Sequence, residues 1–158
     1  MKNIVPDANV FIHRYFKVKG MEAEREAATD LFKAAYLNRV KLIVPELFWS
    51  ELATSMIRFP GVDRNTFEGN FEITQEMVAD RVLATARRSN SVLMRAFDIS
   101  RMETNPDTKR VRILDTIYHA LAENRDGTFV TADQNYLDAV EGLVPGALHL
   151  VNWEDELD

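Results

Sequence analysis

The sequence predicts an α/β domain with a mainly parallel sheet of four or five strands. Short apolar, strand-like runs such as VKLIV alternate with segments whose apolar residues recur at helical spacing. The strand-like runs do not alternate polar and apolar residues, as expected of strands that are covered on both faces. The connections between them contain helices, which is the pattern of parallel sheets. With 158 residues, the chain is long enough for one domain with a substantial core.

In the first part of the chain, residues 2–5 are predicted as a strand that stops at Pro6. MEAEREAATDLFKAAYLN then reads as a helix and VKLIV as a strand. After Pro45, ELFWSELATSMIRF is predicted as a helix that the PG pair at 60–61 ends. Residues 63–72 are ambiguous.

In the second part, TQEMVADRVLATARR is predicted as a helix with Thr74 as its N-cap. SVLMRAFDISRM is predicted as a helix and ETNPDT as a loop. VRILDTIYHALAENRDG is predicted as a helix closed by Asp126 and Gly127. A strand in TFVTAD, a short helix in QNYLDAV and a last strand in ALHLVNW complete the chain. We expect one domain over residues 1–152 and an acidic tail over 153–158.

The composition indicates a globular protein of the cytoplasm. Hydrophobic residues make up 46% and charged residues 28% of the chain. No apolar run reaches the roughly 18 residues that span a membrane, and the first residues do not resemble a signal peptide. Cysteine is absent, which excludes disulfides and thiolate zinc sites.

The charge is unevenly distributed along the chain. The net charge of −6 argues against a protein that coats nucleic acid in general. One segment is nevertheless basic, and its cationic residues are Arg81, Arg87, Arg88, Arg95, Arg101, Lys109, Arg110 and Arg112. Beyond Arg125 no Lys or Arg occurs and acidic residues accumulate. This asymmetry fits a basic surface that guides a polyanion to an acidic site, or simply a solvated helix face beside an acidic tail.

Two aspartates follow predicted strands directly. Asp7 comes after residues 2–5, and Asp133 comes shortly after residues 128–131. In parallel sheets, ligands bind beyond the carboxyl ends of the strands, so both side chains are candidates for a site. Each could also serve only as a helix N-cap, and Thr131 could stabilise the turn before Asp133.

Two further carboxylates lie on predicted helices. Glu51 shares the apolar stripe of its helix with Leu47 and Phe48, so it needs a partner, either a cation or an ion pair. Asp115 lies in the first turn of its helix, where the helix dipole also favours a carboxylate. His119 follows Asp115 by one turn and is expected to be a packing or rim residue.

Together, Asp7, Glu51, Asp115 and Asp133 could converge at one edge of the sheet. Converging carboxylates repel one another unless a cation neutralises them. An all-oxygen set favours Mg²⁺ or Mn²⁺ over zinc, and such a site suits metal-assisted phosphodiester hydrolysis. The sequence contains no Rossmann, P-loop or nucleophile-elbow motif, and the histidines do not have the spacing of a zinc protease. Trp49 and Trp153 are expected in the core or in an interface.

The same residues carry a family resemblance. IVPDANVFIHRYF, LIVPELFWSELATSM and ILDTIYHALAENRDGTFVTADQNYL, in this order, resemble the three motifs of the PIN-domain ribonucleases, and among them the VapC-type toxins. The resemblance covers nearly the whole chain. It implies a three-layer α/β/α fold, an acidic tetrad of Asp7, Glu51, Asp115 and Asp133, and supporting places for Asn9 and Thr131.

What the resemblance implies is a Mg²⁺- or Mn²⁺-dependent endoribonuclease that leaves a 5′-phosphate and a 3′-hydroxyl. Three aspartates would hold the ion, and Glu51 would complete the ligand set or act as a base. The residues expected to bind RNA are Arg81, Arg87, Arg88, Arg110 and Arg112. The family's toxins usually dimerise, and an antitoxin that inserts an arginine into the acidic groove inhibits them.

Two other functions are weighed against this one. A PIN-like module could bind RNA or a partner without cutting, but four idle carboxylates would then repel one another without benefit. An aspartyl-nucleophile phosphatase would also place an aspartate after the first strand. It would require a second aspartate at position 9, where this chain has Asn9.

Overall fold

The computed structural model describes residues 1–102 and 113–157. Its strands are β1 Lys2–Pro6, β2 Val40–Pro45, β3 Leu83–Ala86, β4 Gly127–Thr131 and β5 Ala147–His149. They form one sheet in the order β3-β2-β1-β4-β5. Every neighbouring pair is parallel. The predicted fold class is therefore confirmed, and β1 is the central strand.

Helices connect the strands and cover both faces of the sheet, which gives three layers. They are α1 Ala8–Tyr15, α2 Glu22–Tyr36, α3 Phe48–Arg58, α4 Arg64–Ala79, α5 Asn90–Arg101, α6 Ile113–Asn124, α7 Gln134–Val140 and a 3-10 helix at Leu150–Glu156. Helix α6 packs on β1, β2 and β4, and α5 packs on α6. The helix α1 packs against α2 and α3.

The region from residue 63 to residue 86 differs from the prediction. The ambiguous residues 63–72 belong to α4, whose N-cap is Asp63; its side chain accepts a hydrogen bond from the amide of Thr66. Thr74 is not an N-cap but a buried residue inside α4, and its hydroxyl hydrogen-bonds to the carbonyl of Asn70 and to Tyr15. The predicted helix over TQEMVADRVLATARR ends at Ala79, and LATA pairs with β2 as strand β3.

The turn between α6 and β4 is closed in an unexpected way. The residue with a left-handed backbone is Asp126, with φ of 48°, and Gly127 already begins β4. A Cβ on Gly127 would lie 2.6 Å from the carbonyl oxygen of Asn3 in β1. Glycine is therefore needed here because the two strands approach closely.

The end of the chain packs onto the rest of the domain. The last strand is shorter than ALHLVNW, since the 3-10 helix begins at Leu150. This helix contacts α2 and buries Trp153, which is 2% exposed. Packing thus continues beyond residue 152, and the proposed division at that residue stays a prediction. None of the helices in the described part of the chain is long and apolar enough to cross a membrane.

Three predictions fall outside the described residues. These are the ETNPDT loop, the cationic residues Lys109, Arg110 and Arg112, and Asp158 in the tail.

Candidate active site

A cavity of about 430 Å³ lies at the carboxyl ends of the strands. The side chains that line it include all four predicted carboxylates: Asp7, Glu51, Asp115 and Asp133. They come from four separate segments. Asp7 and Asp133 follow β1 and β4, whose carboxyl ends lie at the same edge of the sheet, and Glu51 and Asp115 lie in the first turns of α3 and α6. The structure therefore brings together the acidic residues that the sequence singled out.

Asp7 follows β1 and is only 9% exposed. It occupies the N-cap position of α1, but its side chain makes no cap hydrogen bond. Instead, Oδ2 accepts hydrogen bonds from Thr131 Oγ1 at 2.8 Å and from Asn9 Nδ2 at 2.8 Å. Burial raises the pKa of Asp7, while the Thr131 bond and the nearby amides of Asn9 and Ala8 oppose that rise. The carboxylate is thus held by side chains rather than used for helix capping.

Thr131, at the end of β4, connects the polar groups of the site. Its hydroxyl donates to Asp7 and accepts from the backbone amide of Asp133 at 3.0 Å. The same oxygen lies 3.1 Å from Asn9 Nδ2, whose Oδ1 accepts from the amide of Ala132 at 3.2 Å. Asn9 and Thr131 therefore fix the position of Asp7 relative to the turn that carries Asp133.

Asp133 has a structural role as well as a place in the cavity wall. Its Oδ1 accepts hydrogen bonds from the amides of Asn135 at 3.0 Å and Tyr136 at 3.3 Å. Asp133 is thus the N-cap of α7, as the simpler of the two interpretations predicts.

Glu51 lies in the first turn of α3, beside the fully buried Phe48 and Leu52. In the structure the hydroxyl of Tyr118 donates a hydrogen bond to Glu51 Oε2 at 2.5 Å. Burial raises the pKa of Glu51, the Tyr118 bond lowers it, and the charge of Asp7 raises it further. Burial and the charge of Glu51 also raise the pKa of Tyr118, so this phenol remains a donor.

Asp115 completes the acidic lining from the first turn of α6. Its side chain is half-buried, and Tyr118 follows it by three residues on the same helix face. Helix α6 therefore carries both Asp115 and Tyr118, the residue whose hydroxyl bonds to Glu51.

The donor chemistry of the cavity suits a hard divalent ion. Carboxylate oxygens dominate, with hydroxyl and amide oxygens beside them, and the described residues that line the cavity include no histidine. Within residues 1–102 and 113–157, however, no three acidic or histidine side chains are grouped closely enough to hold one ion as they stand. Coordination would therefore need water ligands or a small movement of these side chains, and Mg²⁺ usually retains several waters.

The predicted basic residues that the structure describes lie in different parts of the domain, and their role in RNA binding stays a prediction. Arg81 lies before β3, at the opposite edge of the sheet from the carboxylates. Arg87 and Arg88 follow β3 and line a neighbouring apolar cleft of about 330 Å³, which shares Leu114 with the acidic cavity. Arg95 forms a salt bridge with Glu123 at 2.6 Å.

The remaining predictions concern packing residues. His119 is fully buried, and its ring nitrogens lie 2.9 Å from the hydroxyl of Tyr136 and 2.8 Å from the carbonyl oxygen of Pro145. It is therefore a packing residue of the core and not a residue at the rim of the site. Trp153 is in the core, and Trp49 Nε1 donates to Thr85 at 3.2 Å.

Among the residues missed in the sequence are Arg58, which lines the cavity, and Tyr118, which lies behind it and bonds to Glu51. Tyr118 lies one turn after Asp115, and Arg58 lies two turns after Glu51, so helical spacing alone places each on the same face as a predicted acid. That signal does not distinguish a site residue from a core or surface residue.

Comparison with known proteins gives a family. The family model of the PIN domain matches residues 4–143. A comparison of the sequence with curated proteins finds no significant match. A toxin–antitoxin complex from Klebsiella pneumoniae superposes with a TM-score of 0.61 at 12% identity, covering 93% of this chain and 97% of the other.

Two further solved structures are similar. One is FitAB bound to a DNA fragment, with a TM-score of 0.63 at 17% identity over 94% of this chain and 95% of the other. FitAcB from Neisseria gonorrhoeae has a TM-score of 0.59 at 16% identity over 86% and 92%. These similarities concern the fold. The match to residues 4–143 shows that the chain belongs to the PIN domain family, whose members are in general nucleases.

Proposed function

We propose that this protein is a divalent-metal-dependent endoribonuclease and the toxin of a toxin–antitoxin pair. The observation that carries the proposal is the convergence of Asp7, Glu51, Asp115 and Asp133 on one cavity at the carboxyl edge of the sheet. Burial raises the pKa of Asp7 and of Glu51, so a cation in this cavity would stabilise their charged forms. Perturbed acids in a cleft are a physical mark of functional sites.

In this proposal the three aspartates would hold Mg²⁺ or Mn²⁺, directly or through waters, and Glu51 would complete the ligand set or serve as a base. A bound ion would supply a Lewis acid for the phosphodiester and would lower the pKa of a water. Thr131 and Asn9 hold the Oδ2 atom of Asp7. The hydroxyl of Tyr118 favours the ionised form of Glu51, which is the form that can bind a cation or accept a proton.

The toxin part of the proposal rests on the neighbours. The Klebsiella pneumoniae structure is a toxin–antitoxin complex and covers 93% of this chain. We infer that this chain likewise acts in the cytoplasm, dimerises and is inhibited by an antitoxin. An arginine of the antitoxin placed in the acidic cavity would replace the charge of the metal.

Cleavage of RNA by the purified chain, with Mg²⁺ or Mn²⁺ and with EDTA, tests the activity. We expect cleavage that EDTA abolishes and that Asp115→Asn, which removes one charge at nearly constant size, also abolishes. Asp30→Asn is the matched control, since Asp30 is an exposed residue of α2 outside the cavity. Full activity of Asp115→Asn would contradict the proposal.

Expression in cells tests the toxin role separately. The wild-type chain should arrest growth, Asp115→Asn should not, and an adjacent small gene for a DNA-binding antitoxin should relieve the arrest. A nuclease without any effect on growth would be a housekeeping enzyme rather than a toxin.

A non-catalytic PIN module is the second candidate. It is favoured by the absence of a ready-made three-ligand group among the described residues. Calorimetric titration with Mn²⁺ distinguishes the two, because the nuclease requires the ion and the module does not. Lack of binding at millimolar Mn²⁺, together with lack of cleavage, would favour the module.

A further inference from the structure

The helix α3 forms one wall of the acidic cavity over two full turns. The residues of α3 that line the cavity are Ser50, Glu51, Thr54, Ser55 and Arg58. Their spacings of three and four residues put them on one face of the helix. The Cα atoms of Glu51 and Arg58 are about 10 Å apart along the axis, at 1.5 Å per residue. The cavity thus extends well beyond the carboxylates.

Arg58 is the one basic side chain among the described residues that line this cavity. It is exposed, and within the described part of the chain it makes no salt bridge with a carboxylate. An arginine in the last turn of a helix also complements the helix dipole, and this is the simpler explanation of its presence. That explanation accounts for the positive charge but not for a position on the wall of an acidic cavity.

The wall between Glu51 and Arg58 is neutral and polar. The hydroxyl of Thr54 donates to the carbonyl of Ser50 at 2.7 Å. The hydroxyls of Ser50 and Ser55 make no hydrogen bond to other described residues, so they can donate to a ligand. Serine hydroxyls and arginines are common contacts of nucleic-acid phosphates.

A nucleic-acid strand that enters the cavity meets electrostatic repulsion at one end and attraction at the other. Four carboxylates repel its phosphates, whereas a guanidinium two turns away attracts them. We propose that Arg58 binds a phosphate that flanks the cleaved one, and so positions the RNA strand along α3. This inference rests on the proposed ribonuclease function, and it adds a substrate-binding residue that does not hold the metal.

Binding of a labelled single-stranded RNA, followed by fluorescence anisotropy in EDTA at several salt concentrations, tests the inference without cleavage. Arg58→Ala should weaken binding about three- to five-fold at low salt, as expected of an exposed charge pair. It should also reduce the slope of log K against log salt by about 0.7, the value for one phosphate contact on a single strand. Arg58→Lys should keep the slope.

The matched control is Arg64→Ala, which removes the same charge outside the cavity. Arg64 is 88% exposed in its side chain and pairs with Glu68 on α4. In cleavage assays with metal, Arg58→Ala should raise KM about three- to five-fold and leave kcat within about two-fold. Thermal unfolding of each variant verifies that the fold is intact.

The outcomes separate the two proposals. If the wild-type chain binds and cleaves RNA but Arg58→Ala matches Arg64→Ala in slope and KM, the phosphate contact is overturned and the nuclease proposal stands. If the wild-type chain neither binds nor cleaves RNA, both are overturned. A loss of slope and a rise in KM that are specific to Arg58→Ala support the contact.

Discussion

The β1–α1 and β4–α7 junctions look alike in sequence, since in each an aspartate follows a strand and precedes a helix. At β4–α7 the side chain of Asp133 caps the helix through the amides of Asn135 and Tyr136. At β1–α1 the side chain of Asp7 makes no such bond and is instead buried against Thr131 and Asn9. Asp133 therefore stabilises the start of helix α7, whereas the side-chain hydrogen bonds of Asp7 contribute nothing to the capping of α1.

The difference shows how a structural role and a functional role can be separated at equivalent positions. A cap satisfies backbone donors and favours the folded state. A buried carboxylate with a raised pKa destabilises the folded state while it is charged. Such a residue is retained only where the protein needs it for a purpose other than stability. Asp7 is therefore the better single indicator of the site, although Asp133 is the more regular feature.

The largest expected effect is that of Asp7→Asn. Cleavage should fall more than about 100-fold, because the charge proposed to bind the ion is lost while the amide oxygen can still accept the bond from Thr131. The free energy of unfolding should stay equal or rise. Initial-rate assays and chemical denaturation measure the two quantities. If Asp7→Asn were destabilised, Asp7 would stabilise the fold as Asp133 does, and the contrast between the two aspartates would be wrong.

The same variant should change the pH dependence of stability. The pKa of Asp7 is raised above 3.8 in the folded chain, so its contribution to the free energy of unfolding is fully present below pH 3.8. This contribution is lost as the pH rises through the pKa of the folded state. In EDTA, the free energy of unfolding of the wild-type chain should therefore fall over this window more than that of Asp7→Asn.

The next largest effect is expected from Thr131→Val, which affects both junctions at once. The substitution removes the donor to Asp7 and the acceptor for the amide of Asp133. Cleavage should fall about 10- to 100-fold, and the free energy of unfolding should drop by about 1–3 kcal/mol. Activity assays and denaturation check both.

Two controls distinguish the hydroxyl from the packing of Thr131. Thr131→Ser keeps the hydroxyl and should retain most activity. Thr128→Val alters a buried threonine of the same strand that has no side-chain hydrogen bond to the described residues, and it should affect neither quantity strongly. Equal losses in Thr131→Ser and Thr131→Val would rule out the bridging role.

The smallest effect concerns the cap itself. Asp133→Ala should lower the free energy of unfolding by about 1 kcal/mol, whereas Asp133→Asn, a good N-cap, should change it by less than about 0.5 kcal/mol. Asp63→Ala removes the cap of α4 outside the cavity and should lower stability without loss of cleavage. If both Asp133 variants retain full cleavage, Asp133 is a cap alone.

The fold could be predicted largely because its strands are apolar and its helices periodic. Strand β3 was missed because LATA is short and rich in alanine and follows a helical pattern, so only its pairing with β2 identifies it. Thr74 looked like an N-cap, but the residue that caps this helix is Asp63, eleven positions earlier.

The site was predictable to the extent that topology determines it. The rule for the carboxyl ends of parallel strands places Asp7 and Asp133 together, and helical faces add Glu51 and Asp115. The bond from Tyr118 to Glu51 joins residues that are 67 positions apart. Such a contact depends on the packing of α6 on the sheet, which the local sequence does not specify.

The order of the strands has a consequence for synthesis. Of the five strands, the central strand β1 is made before the others. The strand β4, which completes its pairing, and Asp133, which completes the acidic lining, follow more than a hundred residues later. The bond from Thr131 to Asp7 spans 124 positions. A chain that ends before β4 therefore lacks Thr131 and Asp133, so the acidic cavity cannot assemble until β4 and the turn after it have been made.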